Sequence, residues 1–270
     1  MKMNNLVSSI QENASKNISL PYSIYSSVYE QKLLNVPIAK PLFVLVLSGR
    51  KELGNDREIL CRTGQFVFLS DRPSIDMRNV PLDENYRALL IDFEYQDFAD
   101  IPSNCASKAD YFVGDSSSDF IECLNQFIRC SAWAPQEVIS SRKKELLMML
   151  YLQGFADVGN MIGKPKVSHA LYDLYIDQSF NEITTASICS LLAMSESTLR
   201  RKLSSEGTSI QEVKDKAKLS TALSLLQTTD IPINQVAEKC GYQSQSRFTD
   251  RFKKHFNITP SELRKTQMKD

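Results

Sequence analysis

Apolar residues in the C-terminal third recur every three or four positions, the period of helices that bury one face. Ile188, Leu191 and Leu192 form one such stripe, and Leu199 and Leu203 form the next. Ser195 stands between them, where its hydroxyl can accept from the free N–H groups of a new helix, and Gly207 offers a left-handed stop. The plan returns about fifty residues later. Ile233, Val236, Ala237 and Cys240 face inward, Gly241 ends that helix, and Gln243 and Ser244 open another in which Phe248 and Phe252 take the place of Leu199 and Leu203. Asn257 tolerates positive φ after it, and Pro260 starts a short helix behind Thr259. From Ser209 to Thr228 there is no Gly or Pro, and Leu219, Ala222, Leu223 and Leu226 fall at i, i+3, i+4 and i+7. One long helix therefore joins two helix-turn-helix units.

Upstream the pattern shortens to strands. Tyr22–Tyr25, Leu42–Leu47, Glu58–Cys61, Gln65–Leu69, Ile75–Arg78 and Tyr86–Phe93 are rich in β-branched or aromatic residues, and Gly49, Gly54–Asp56, Gly64 and Asp71–Pro73 punctuate them. Many short strands without helices between them predict a small barrel or jelly roll. Helical spacing resumes after Gly114, with Phe120, Cys123, Leu124, Phe127 and Ile128 on one helix. Val138, Leu146, Met149, Leu150 and Leu152 to Phe155 belong to another that starts near Pro135. Gly159 to Lys166 reads as a linker, and Val167 to Gln178 as a last helix before the first unit. The expected fold is α+β: a β-barrel or jelly roll with flanking helices over 1–158, a linker over 159–166, and an all-α domain over 167–270.

The helical period also locates the polar faces. At about 100° per residue, the side opposite Leu199 and Leu203 carries Ser197 and Arg201, flanked by Arg200 and Ser204. Opposite Phe248 and Phe252 lie Ser246, Thr249 and Asp250, flanked by Gln245, Arg247 and Arg251, with Lys253 and Lys254 near the end. A helix of about twenty residues spans roughly 30 Å, close to the ~34 Å of one B-DNA turn. Two such polar faces fit successive major grooves.

These residues resemble the DNA-binding domain of the AraC/XylS family of transcription regulators. The likeness rests on Met194-Ser195-x3-Leu199-x-Arg201, on Lys218-Leu219-x2-Ala222-x2-Leu225-Leu226, and above all on Ile233-x2-Val236-Ala237-x3-Gly241-Tyr242-x-Ser244 running on through Ser246, Phe248, Phe252, Lys253, Lys254, Asn257, Thr259, Pro260 and Arg264. It covers roughly the last hundred residues. A weaker likeness, carried by PLFVLVLSGRKELG and LCRTGQFVFLS, extends to the family's cupin-like N-terminal domain. The resemblance implies a sequence-specific regulator, with activation as the family's prevailing habit. Ser197, Arg200 and Arg201 would contact bases in one groove, and Gln245, Ser246, Thr249 and Asp250 in the next. Phosphates would be held by Ser195, Lys202, Ser244, Arg247, Arg251, Lys253 and Lys254. Promoter DNA and RNA polymerase follow as partners, with a small-molecule or protein effector and a homodimer through the helices beside the barrel. Where the family commonly has Arg, this chain has Asp250. A carboxylate accepts from cytosine N4 but cannot bind guanine O6 and N7, so the second half-site differs unless Asp250 instead pairs with Arg247 or Lys254.

Composition narrows the alternatives. With 42% hydrophobic and 24% charged residues the chain is an ordinary globular protein, and 32 basic against 32 acidic residues give no overall attraction to a polyanion. The distribution is more telling, because Arg200, Arg201 and Lys202, then Lys214, Lys216 and Lys218, then Arg247, Arg251, Lys253 and Lys254 fall on linked elements. Six cysteines without a Cys-x-x-Cys pair suit buried thiols in a reducing compartment, and the N-terminus lacks the apolar core of a signal peptide. A cytoplasmic protein is expected.

The barrel residues Phe43, Leu45, Leu47, Phe66, Phe68 and Tyr86 can line an apolar effector pocket or simply fill a core. The chain's two histidines, His169 and His255, lie outside the barrel, which argues against metal catalysis there and, for want of a base, against a serine-hydrolase or cysteine-protease arrangement; no metal, cofactor or enzyme activity is expected. Two rival readings remain. One is a non-specific architectural DNA binder; the other is a small-molecule-binding or enzymatic barrel with a regulator-like tail.

Overall fold

The computed structural model describes residues 2–14, 16, 18–54, 59–71, 74–103, 110–163, 166–178, 180 and 182–267. The turn at Asn55–Asp56, Arg72, Pro73, Cys105 and part of the expected linker lie outside them. The chain divides into two units, one of Met1–Glu30, Lys40–Pro73 and Arg78–Gly163, the other of Gln31–Ala39, Ser74–Met77 and Lys164–Asp270.

Among the described residues nine strands make two sheets. The first has the order β1 (Ser23–Ser27), β8 (Tyr86–Asp92), β3 (Leu42–Ser48), β6 (Gln65–Leu69), β9 (Tyr111–Asp115), and its neighbours are antiparallel. The second has the order β2 (Gln31–Val36), β7 (Ile75–Val80), β4 (Arg50–Leu53), β5 (Ile59–Arg62). Strand β3 is apolar on both faces, and Phe43 to Leu47 are all buried. Its register pairs Phe43 with Phe68 and Ile91, and Leu45 with Phe66 and Leu89, so these side chains share one face. Against that face pack α1 (Lys2–Ala14), α2 (Ser118–Cys130) and α3 (Gln136–Leu152), through Leu6, Ile10, Phe120, Leu124, Phe127, Leu146 and Leu150.

Local chemistry explains the helix starts. The Ser117 hydroxyl accepts from Phe120 N–H at 3.1 Å to open α2, and Pro135 stands at the N-cap of α3. On α3 the buried positions are Ile139, Lys143, Leu146, Leu147 and Leu150. Val138 and Leu152, expected on the inward stripe, are 37% and 71% exposed, because the contact face is centred one position further on. Beyond α3, Val158 and Met161 are buried in the same core.

The second unit holds α4 (Val167–Asp177), α5 (Thr185–Leu191), α6 (Glu196–Ser205), α7 (Ile210–Thr228), α8 (Ile233–Lys239), α9 (Gln245–Phe256) and α10 (Pro260–Lys265). Its long helix α7 serves two cores. Val213 and Ala217 join Leu171, Tyr175, Ile188, Leu199 and Leu203 in the first. Leu219, Ala222, Leu223 and Leu226 join Val236, Phe248, Phe252, Phe256 and Leu263 in the second. Leu33 and Val36 of β2 complete that second core, while the Gln31 amide bonds Thr266 Oγ1 and Asn35 Nδ2 donates to the His255 carbonyl at 3.3 Å. No helix among the described residues is long and apolar enough to cross a membrane.

Candidate nucleic-acid interface

The two helix-turn-helix turns are built alike. After α5, Ala193 N–H donates to the Ser190 carbonyl and Met194 N–H to that of Cys189; after α8, Gly241 N–H donates to Glu238 and Tyr242 N–H to Ala237. Both are the paired bonds of a Schellman stop, with the left-handed residue at Ala193 (φ 50°) and Gly241 (φ 69°). An alanine in that conformation is a feature the sequence did not advertise, and it carries a steric cost that glycine avoids. Each turn then delivers a serine cap: Ser195 Oγ accepts from Thr198 N–H and Ser244 Oγ from Arg247 N–H, both at 3.3 Å. Gly207 and Asn257 take the left-handed positions that end α6 and α9. Leu191, expected on an inward stripe, is 55% exposed at the end of α5.

The faces beyond these caps are open. Ser197, Arg200 and Arg201 on α6 are exposed, as are Gln245, Ser246 and Asp250 on α9, with Thr249 half-buried. Their charges are not equally available. Glu196 Oε1 accepts from Arg200 Nε at 2.8 Å and Nη2 at 2.6 Å, one helical turn away. Arg251 Nη2 donates to Asp215 Oδ2 of α7 at 2.7 Å, and Arg247 Nη1 to Gln243 Oε1 at 3.1 Å. Arg201, Lys202, Lys253, Lys254 and Asp250 make no ion pair among the described residues. Asp250 thus stands clear of Arg247 and Lys254.

The lysines of α7 divide differently from the expectation of a shared DNA-facing cluster. Lys218 Nζ donates to the Gly241 carbonyl at 2.7 Å and lies 5.1 Å from the Tyr242 ring centroid, inside the second turn. Burial, helped by the neighbouring Lys214, holds its pKa below the usual lysine value. Lys214 Nζ stands over the Tyr175 ring at 5.6 Å. These two side chains work within the fold.

In the other unit, Phe43, Leu45, Leu47, Phe66 and Phe68 are packed together with the helices. Ring centroids separate Phe43 from Phe66 by 5.1 Å, Phe43 from Phe120 by 5.5 Å and Phe66 from Phe155 by 5.1 Å. Tyr86 is not with them. It shares its face with Ala88, opposite Val46 of β3, so it lies on the other side of the sheet. There it meets Tyr25 at 6.1 Å and the buried Lys51 ammonium at 5.9 Å. Its hydroxyl and that of Ser27, its register partner on β1, are buried without a hydrogen bond among the described residues. No group of three His, Cys, Asp or Glu among the described residues is placed to hold a metal.

Residues 188–266 match a family described as a helix-turn-helix domain. The transcriptional regulator SirC of Salmonella typhimurium is 35% identical over 96 residues, 36% of this chain and 32% of that protein. The urease operon transcriptional activator of Escherichia coli is 29% identical over 123 residues, 44% of this chain and 41% of that protein. The likeness thus spans about a third to two fifths of the length of these relatives. Over the whole chain, the structure of ToxT from Vibrio cholerae with an unsaturated fatty acid bound is similar in fold, with a TM-score of 0.60 at 16% identity over 93% of this chain and 97% of that one.

Proposed function

We propose that the protein is a sequence-specific transcription regulator of the AraC/XylS type that reads two successive major grooves, a reading supported by the helix-turn-helix match over residues 188–266 and by the likeness to a transcriptional regulator. The observation that carries this reading is the duplicated turn: two Schellman stops, two serine caps and two exposed polar faces, on helices joined through α7. Nineteen residues of α7 span roughly 28 Å at 1.5 Å per residue, near one helical repeat of DNA. Ser197, Arg200 and Arg201 meet one set of bases, and Gln245, Ser246, Thr249 and Asp250 the other. The N–H groups behind Ser195 and Ser244, with Lys202, Arg247, Arg251, Lys253 and Lys254, hold phosphates. Glu196 and Asp215 keep Arg200 and Arg251 in place until a phosphate or base competes for them.

Activation, with RNA polymerase as a partner, is the finer reading that the urease operon activator's likeness favours. In this reading a regulatory and dimerising domain in the cytoplasm, expected over 1–158, is joined through the expected linker 159–166, whose Met161 packs into the first unit's core, to the DNA-binding domain expected over 167–270. The fatty acid in the ToxT structure favours a small-molecule effector for it. An effector among Phe43, Phe66 and Phe68 requires those packed rings to part.

Selection of bound sites from random DNA by the full chain tests the proposal. Two motifs about ten base pairs apart are expected, with affinity falling steeply as salt rises. A single short motif overturns paired reading, and no enrichment over random sequence favours an architectural binder.

A further inference from the structure

We infer that the hollow between α1, α2 and α3 is a binding site for a small organic carboxylate with a planar apolar body. The hollow has a volume of about 410 Å³, within the range of pockets that take small molecules. The regulator reading expects a homodimer through the helices beside the barrel, so a second copy over this hollow is the competing occupant.

Its wall is fixed before any ligand arrives. Asn13 Nδ2 at the end of α1 donates to the Ile128 carbonyl of α2 at 2.6 Å and to Tyr22 Oη at 3.3 Å, and Ser9 Oγ donates to Asn125 Oδ1 at 2.8 Å. With Leu6 and Ile10 buried beneath, α1 cannot swing away without breaking these bonds. A preformed wall avoids part of the ordering cost of binding.

The charge around the hollow is positive. Lys16, Arg129 and Arg142 line it with Glu12, and Glu145 pairs with Arg142, so three cations against two carboxylates leave one net positive charge. The cations are not equally committed. Arg142 Nη1 is held by Glu145 Oε2 at 2.5 Å, and Lys16 Nζ lies 3.5 Å from Glu12 Oε1 and 3.3 Å from Asn13 Oδ1. Arg129 is exposed and makes no ion pair among the described residues. The end of α2 also points here, and its helix dipole opposes an anion. That opposition is blunted, because Ser131, Trp133 and Ala134 N–H groups already occupy the Phe127, Ile128 and Cys130 carbonyls.

Trp133 supplies the apolar half. It is the single tryptophan of the chain, it lines the hollow, and it is 74% exposed. A carboxylate can sit in the guanidinium fork of Arg129 while a planar body covers the indole and removes its apolar surface from water.

Because Trp133 is the sole indole, its emission reports this site alone. The full chain is titrated with sodium phenylbutyrate and, separately, with the neutral phenylbutanol. A saturable change is expected with the acid, at least tenfold tighter than with the alcohol. Arg129→Gln weakens the acid at least tenfold, a loss of about 1.4 kcal/mol, while Lys144→Gln on α3, whose ammonium faces Asp100, leaves it unchanged. Circular dichroism melting confirms that both variants fold, and Lys16→Gln repeats the test should Arg129→Gln not. The proposal is overturned by an acid response that does not saturate, by equal responses to acid and alcohol, or by wild-type affinity in the arginine variant. It is also overturned if emission changes with protein concentration alone, which would show a second copy covering Trp133.

Discussion

Replacing Lys218 by Met separates two roles that a basic residue on α7 can have. As a tie within the fold, Lys218 gives a charge-assisted hydrogen bond to the Gly241 carbonyl at 2.7 Å and a contact with the Tyr242 ring. Such a bond contributes about 1.5–3 kcal/mol and the ring about 0.5–1 kcal/mol. Against them stands the desolvation that lowers the lysine's pKa, together with solvent screening at a half-buried site. A net loss of about 1–3 kcal/mol remains. Methionine preserves the apolar stem, so little packing is lost. For a urea slope of about 2 kcal/mol per molar, the unfolding midpoint falls by roughly 0.5–1.5 M. The slope of log K against log salt for DNA binding stays the same, since no phosphate contact is removed. In selected sites the second motif loses definition, because the freed turn is the one that aims α9. The opposite pattern, an unmoved midpoint with a salt slope reduced by about 0.9, refutes the tie and makes Lys218 a phosphate ligand.

Four further outcomes are expected. Arg201→Ala should cost about 1–3 kcal/mol of specific binding and relax selection at one base pair; equal loss on every sequence would show a backbone contact only. Asp250→Asn should change the preferred base in the second motif, and identical motifs for both proteins would remove Asp250 from base reading. Ala193→Gly should raise stability by about 1 kcal/mol through relief of the left-handed alanine, a prediction that a lower melting temperature would reverse. Burial lowers the Lys51 pKa to about 8, so between that value and the ordinary lysine value near 10.5 the unfolded chain binds more protons than the folded one. Stability from this group is therefore gained as pH rises through the window and lost as pH falls toward 8. Cys61 beside it, pushed up to about 12 by burial, opposes the gain above about pH 9, so melts are compared from about pH 8 to 9. Wild type should gain on Lys51→Met across that interval; a constant gap between them would contradict the assignment.

What could be read from the sequence was local. Ser195, Ser244, Gly207, Gly241 and Asn257 act on the residues beside them, and the structure uses each as the spacing suggests. The elements without advance notice are those whose burial depends on distant partners. Helix α1 shows a sparse stripe of Leu6 and Ile10, completed by the amide of Asn13. Strand β4 is Arg-Lys-Glu-Leu, polar in composition, yet Lys51 and Glu52 are buried, the first bonded to Asn79 and the second to Arg78. Strand β2 breaks its alternation with Asn35 at positive φ and buries Gln31. Strand β9 includes Gly114, where a Cβ would collide with the Phe155 ring. Alternation along β3, β6 and β8 likewise reveals two faces without saying which one the helices cover, so Phe43 and Tyr86 looked equivalent until register separated them.

The same distinction governs the candidate interface. A residue type shows what chemistry a side chain can do, but its partners decide whether that chemistry is free for a ligand. The Glu196–Arg200 pair is legible, since the two stand four apart on one helix face. The Asp215–Arg251 pair joins residues 36 positions apart, and nothing in either helix alone announces it. Lys218 is hidden for the same reason: its acceptor is a backbone carbonyl 23 residues away. Residues whose charge the fold leaves unpaired, Arg201 and Asp250 foremost, are therefore the sharper places to test base reading. Variants of Arg200 or Arg251 break an internal ion pair along with any contact to DNA, so their effects need the stability measurement beside them.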